Sequence, residues 1–215
     1  LSLFEPPSDD DAFDTRAERL AAKVADLCVL NRNNVVILER FPELGLRDWW
    51  LTSGCLFQTV WNLRGGRGAE RGIQDYDVFY FSEDTSWEAE NEVIQAAAKL
   101  FGDIPVQVRN QARVHLWYPE KYGIAYPPLT TASEGILRFP CGAAALGLKR
   151  TGDEFVDLYA PFGVGDAWDV VARPNRALPL AKIYAEKTER WQKEWPQLTV
   201  FPWTDGEEKS RAKTL

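Results

Sequence analysis

The sequence predicts a mixed α/β (α+β) fold: a small mixed sheet flanked by helices, followed by a largely helical C-terminal part. Three observations predict it. Short runs rich in aromatic and β-branched residues alternate with longer segments of helical apolar spacing, in the order strand, helix, strand, helix, strand. Glycines and prolines punctuate the joins. Beyond residue 129 helical patterns dominate, broken by one further short strand. The division expected from this order is a lead-in and helix over 1–29, a core over 30–128, and a mainly helical part over 129–215 packed on that core.

The elements follow in chain order. "LSLFEPPSDDDAFD" is acidic and carries proline, so it reads as a loose lead-in. "DTRAERLAAKVADLCVL" has Leu20, Val24, Leu27 and Leu30 at helical spacing, and "NVVILERFPEL" extends a second helix up to Pro42. "RDWWLTSG" reads as a buried strand, and "CLFQTVWNL" as a helix that stops at the glycine-rich "RGGRGAERG". "GIQDYDVFYF", from Gly72 to Phe81, is the next strand. "SWEAENEVIQAAAKLFG" is a helix with Ser86 as its cap, acids in its first turn and Gly102 at its end. "IPVQVRNQARVHLWY" begins as a strand and then loses its alternation. "TASEGILRF" has Thr131 and Glu134 in capping-box spacing. "EFVDLYAP" is a short strand and "GDAWDVVARP" a short helix. "LPLAKIYAEKTERWQKEWPQL" is a last amphipathic helix with Leu180, Ile183, Lys187, Trp191 and Trp195 on one stripe, which reads as a packing face.

Composition narrows the function classes. With 25 Lys and Arg against 32 Asp and Glu the net charge is −7, which disfavours bulk nucleic acid as a partner. One histidine, His115, rules out multi-histidine metal sites. Three cysteines without C-x-x-C spacing point to a reducing, cytoplasmic setting rather than a disulfide framework or structural zinc. No apolar run approaches the length of a membrane span. Phosphate-loop, dinucleotide-fold and nucleophile-elbow motifs are absent.

Asp75 and Asp77 are the chemistry-bearing pair. Aspartate is depleted from strands, and residues two apart share a face, so the two carboxylates project together with Phe79 and Phe81 continuing that face inward. Side by side they repel unless a cation sits between them. Their Cα atoms, roughly 6.5 Å apart in a strand, allow both to reach one Mg²⁺, which takes oxygen ligands and needs no His or Cys. The bland alternative is a turn aspartate beside a solvent-facing one. Upstream, Ser53 and Gly54 sit at a strand-to-helix turn, where free N–H groups and the helix dipole suit an anion. Arg64, Arg67 and Arg71 in the glycine loop either clamp phosphates or decorate a solvated loop. Arg109, Asn110, Gln111, Arg113 and His115 form a polar row that either recognises a base, sugar or acceptor, or pins the sheet to the C-terminal helices.

As a set, "GCLFQTVWN", "IQDYDVFYF", "VRNQARVHLWY", "LYAPFGVGDAWDVVARPN" and "RWQKEWPQL" resemble a bacterial nucleotidyltransferase-like family within the DNA polymerase β-like nucleotidyltransferase superfamily. The resemblance implies the polymerase β-like fold, with Asp75 and Asp77 as catalytic residues and Mg²⁺ ligands. It implies a nucleoside triphosphate over Ser53, Gly54 and the following helix, an unknown acceptor attacking the α-phosphorus, and pyrophosphate leaving. Gln107, Asn110 and Arg113 complete the expected nucleotide pocket. Where the superfamily commonly carries a third acid, the segment "IPVQVRNQARVHLW" has no Asp or Glu, and Gln107 takes the place. That substitution favours a rival reading, a nucleotide- or protein-binding module with little turnover on the same fold.

Overall fold

The computed structural model describes residues 9–152 and 155–204. Helix α1 (Asp9–Cys28) starts earlier than the expected lead-in allows, and residues 1–8 of that lead-in lie outside the described residues. Helix α2 (Arg32–Arg40) is capped by Asn31, whose side chain accepts from the N–H groups of Asn33 and Asn34. A 3₁₀ turn over Phe41–Leu44, entered through Pro42, ends at Gly45 with φ 72°.

Strand β1 (Trp49–Thr52) leads through Ser53 into helix α3 (Gly54–Arg64), and β2 (Tyr76–Tyr80) follows the glycine loop. Helix α4 (Trp87–Phe101) then crosses to β3 (Val106–Asn110), which supplies the long connection that the parallel β2–β3 pair requires. Ser86 caps α4 by accepting from Ala89 N–H, and Gly102 ends it at φ 57°, as the local signals predict. A 3₁₀ turn, Gln111–Arg113, opens into α5 (Val114–Tyr122), which resolves the ambiguous stretch after β3. Next come α6 (Ala132–Ile136), the strands β4 (Gly147–Thr151) and β5 (Phe155–Tyr159), and α7 (Gly165–Trp168). Strand β6 (Val171–Ala172), α8 (Ala181–Glu194) and β7 (Thr199–Val200) are the last elements among the described residues, with β6 and β7 forming a small separate pair.

The five-stranded sheet has the order β3-β2-β1-β4-β5, parallel only at β2–β3 and antiparallel elsewhere. It is the mixed sheet flanked by helices that the sequence predicts. Two of its strands come from residues beyond 128, and β4 carries no strand signal of its own. Gly147 explains why: a Cβ there would come within 2.6 Å of Ile136 Cδ1 and 3.1 Å of the Trp50 ring, so contact with β1 demands glycine where propensity argues against a strand.

The aspartate strand is shorter than expected. Gly72 turns at φ 72°, and strand pairing starts at Tyr76, whose N–H donates to Pro105 O. Asp75 therefore precedes β2 instead of lying within it. The fully buried face is Tyr76, Val78 and Tyr80, so the face of Asp75, Asp77 and Phe79 is half-covered rather than the main core. On the core side of the sheet the apolar cluster runs from Val24 and Cys28 of α1 through α3 to α8. There Phe57, Trp61, Trp191 and Trp195 form an edge-to-face chain with centroids 4.6–5.8 Å apart, which makes the α8 stripe a packing face. Buried asparagines tie the layers: Asn31 Nδ2 donates to Thr59 Oγ1, and Asn34 Nδ2 to the carbonyls of Cys28 and Cys55. Among the described residues no helix is long and apolar enough to cross a membrane.

Candidate functional site

The register of β1 and β2 sets Thr52 opposite Asp77, so the residue after Thr52 lands beside that carboxylate. Ser53 holds φ 66° and ψ −136°, a conformation that costs free energy in any residue with a side chain and that recurs at functional sites. Its hydroxyl does not cap α3; it lies near enough to Asp77 to favour the ionised carboxylate slightly. Gly54, the first residue of α3, brings bare backbone to the same place. Cys55 points away into the core, fully buried, with its thiol on Thr52 O at 3.3 Å.

Ser53, Gly54, Asp75 and Asp77 line one cleft of about 410 Å³. Helix α8 forms its other wall with Lys187, Arg190 and Lys193, of which Lys187 acts on both carboxylates and Lys193 pairs with Glu189 at 2.8 Å. Desolvation, and then the charge of Asp75, pushes the Asp77 carboxyl up to about 7, while Lys187, Arg109 and the Ser53 hydroxyl pull the other way. Lys187 is lowered from the ordinary lysine range by its own burial and by Arg190, against the attraction of Asp77 and Asp75. The two signs of charge thus face each other in a partly dewatered space.

Gln107 stands at the register position opposite Asp77, and its Nε2 donates to Asp75 Oδ2 at 3.0 Å. It is exposed at the rim rather than enclosed. Asn110 and Arg113 are not brought to the carboxylates. Strand alternation turns Asn110 to the face opposite Gln107 and Arg109. There it is 1 % exposed and spent on structure: Nδ2 donates to the carbonyls of Ser82 and Asp84, and Oδ1 accepts from the N–H of Ser82 and Ala112. Arg113 lies past the strand end, 3.2 Å from the buried carboxylate of Glu90 and 5.6 Å from the Trp87 ring centroid. The polar row therefore splits: Arg109 lies with Gln107 toward the site, while Asn110 and Arg113 brace the sheet against α4.

The glycine loop neither clamps the cleft nor hangs free. Asn62, fully buried, donates to the carbonyls of Ala69 and Arg71, and accepts from Trp195 Nε1 at 2.9 Å. Arg67 and Arg71 both pair with Glu194 at the end of α8, and Arg64 donates to Trp168 O. The loop is thus bolted to the helix that covers the site.

Sequence reasoning left three contributors without a role. Lys187 was one member of an otherwise apolar stripe, and a lysine on a buried stripe is itself the signal that it faces a negative partner. Arg190 and Lys193 follow Lys187 at three-residue steps along α8, and all three line the cleft. Among the described residues no group of three or more His, Cys, Asp or Glu gathers to hold a metal. The site therefore offers two carboxylates, an amide, a hydroxyl, a helix N-terminus and three cations, which is a set suited to a polyanion together with a cation.

A family model described as nucleotidyltransferase matches residues 39–200. An NMR structure described as revealing a CCA-adding enzyme head domain superposes with a TM-score of 0.70 at 22% identity, covering 85% of this chain and 96% of that one, which establishes the fold. No curated protein matches the chain. With a family model spanning most of its length, including both aspartates and the helix that faces them, the chain belongs to this nucleotidyltransferase family.

Proposed function

We propose that the protein moves a nucleoside monophosphate from a nucleoside triphosphate to a small-molecule or protein acceptor, with pyrophosphate leaving and Asp75 and Asp77 holding Mg²⁺. The observation that carries this is the cleft itself, in which the two carboxylates, the N-terminus of α3 and the cations Lys187, Arg190 and Lys193 line one space, with Lys187 acting on both carboxylates. The donor set fits the ion. Magnesium binds one or two carboxylates and completes its shell with water and substrate phosphate, and two carboxylates that resist joint ionisation call for a cation. When bound, it would neutralise charge on the phosphates as a Lewis acid.

The chain's own residues do the positioning. Lys187, Arg190 and Lys193 would take the outer phosphates, with the first N–H groups of α3 adding fixed partial charge. Gln107 orients Asp75 by one hydrogen bond, and the Ser53 hydroxyl lies beside Asp77 and favours its ionised form. Held in this way, the α-phosphorus lies beside the carboxylates and open to in-line attack by an acceptor hydroxyl. Net charge of −7 supports a small molecule or protein as acceptor over bulk nucleic acid.

One observation favours a second reading, a binding module with little turnover: the position opposite Asp77 is Gln107, an amide that takes no proton near neutral pH. Calorimetric titration with the four ribonucleoside triphosphates, with and without Mg²⁺, separates the readings when paired with pyrophosphate release. Micromolar, magnesium-dependent binding lost in Asp75→Asn/Asp77→Asn supports a triphosphate site. Binding without pyrophosphate release across a panel of hydroxyl acceptors selects the second reading in its nucleotide-binding form, and no binding to any of the four sinks the transferase and leaves a protein-binding module.

A further inference from the structure

Past Asp77 lies a second cavity, of about 220 Å³, that shares Asp77 and Lys187 with the cleft. Its walls are aromatic. Phe79 and Phe139 stack with centroids 5.4 Å apart and planes 19° from parallel, and Tyr118 meets Tyr126 at 4.7 Å. Gly135 lets these walls close up, because a Cβ there would strike Gln111 Oε1 and come within 3.1 Å of the Phe79 ring. Arg109, Gln111 and Arg138 also line it; Gln111 is 1 % exposed, and Arg138 is half-buried with a shielded Nε–H that has no hydrogen-bond partner. That Nε–H is shielded from solvent, so the donors a ligand in the cavity could reach are the outer guanidinium nitrogens of Arg138, which make no hydrogen bond among the described residues.

We propose that this cavity holds the nucleobase of the triphosphate, stacked on the aromatic walls with Arg138 donating to a carbonyl oxygen on the ring edge. The proposal rests on the reading that the cleft takes the phosphates. The base and the outer phosphates of one nucleotide leave the α-phosphorus in different directions, and these two cavities meet where that phosphorus would sit. The space is below the usual range of roughly 300 Å³ and more for drug-sized ligands, and suits one ring system. Its π faces accept any base, while an arginine donor prefers an edge that presents acceptors. Guanine and uracil carry a carbonyl where adenine and cytosine carry an amino group, so keto bases are favoured.

The test is calorimetric titration of the full chain, with Mg²⁺, using GTP, UTP, ATP, CTP and base-free tripolyphosphate on the wild type, Arg138→Gln and Phe139→Leu. The wild type is expected to bind GTP and UTP about tenfold or more tighter than tripolyphosphate, the worth of one stacked base. Both variants are expected to lose that advantage while tripolyphosphate affinity stays within about twofold, which also shows that they are folded. Phe139→Leu keeps the apolar volume, so a folding defect in one variant leaves the other to decide. Variants that keep the advantage, a wild type that binds nucleotides no better than tripolyphosphate, or a preference for ATP and CTP overturns the base site and leaves the cleft standing. Failure of the wild type to bind tripolyphosphate or any nucleotide overturns the cleft and the base site together.

Discussion

Asp77→Asn is expected to make the metal-free protein more stable at neutral pH. Burial and the Asp75 charge raise the Asp77 carboxyl from an ordinary 3.8 to about 7. Between those two values the folded chain keeps a proton that the unfolded chain has released. Stability therefore falls as pH rises across that window and levels off above about 7. At ~1.4 kcal/mol per unit, the separation sets an upper bound of about 4 kcal/mol on the penalty carried by the ionised wild type. Water reaching the cleft screens part of it, so about 1–3 kcal/mol is the expected gain. Asparagine retains the shape and an oxygen for the Ser53 hydroxyl, and removes only the charge. Urea unfolding in chelator-containing buffer at about pH 5 and about pH 8 measures the effect as a change in midpoint at constant slope. The variant's advantage should be larger at the higher pH. Adding Mg²⁺ should then shrink or reverse it, because the ion stabilises only the protein that binds it. A variant less stable than wild type at the higher pH without metal, or an advantage equal at both, would refute the claim that two crowded carboxylates are held together at a cost.

Three further outcomes are expected. Lys187→Met should weaken tripolyphosphate binding by about tenfold or more, the scale of one charge-assisted contact, and flatten its salt dependence; unchanged affinity would remove Lys187 from the site. Glu194→Gln should speed tryptic cleavage within the 65–72 loop with little change in the thermal midpoint, because half-exposed ion pairs order a segment more than they stabilise a fold. Gly135→Ala should destabilise by about 1–3 kcal/mol in thermal unfolding, since the added methyl strikes Gln111 and crowds Phe79.

The comparison of pattern and structure is most instructive at particular residues. The carboxylate pair and the strand-turn-helix at Ser53 and Gly54 were legible, and the structure places all four in one cleft. Asn110 could have been separated from Gln107 by alternation alone, since three residues apart on a strand means opposite faces. Arg113 could not, because whether β3 continues or breaks into the 3₁₀ turn at Gln111 depends on Asn110 capping that turn while holding the 82–84 loop. Strand β4 was hidden for the same kind of reason: its glycine is required by Trp50 and Ile136, residues that only the fold brings near.

By itself, the sequence determined what local chemistry can determine. Ser86 and Gly102 bound a helix, a glycine-bearing turn follows a buried strand, and two aspartates share a face, because caps, turns and periodicity act over a few residues. Tertiary structure decided what the aspartates meet. The lysine that opposes Asp77 lies 110 residues further along the chain, on a helix held there by a tryptophan cluster and by Asn62 and Glu194. Such an encounter is set by how apolar faces fit together, and the free energy of that fit belongs to no single stretch of the chain.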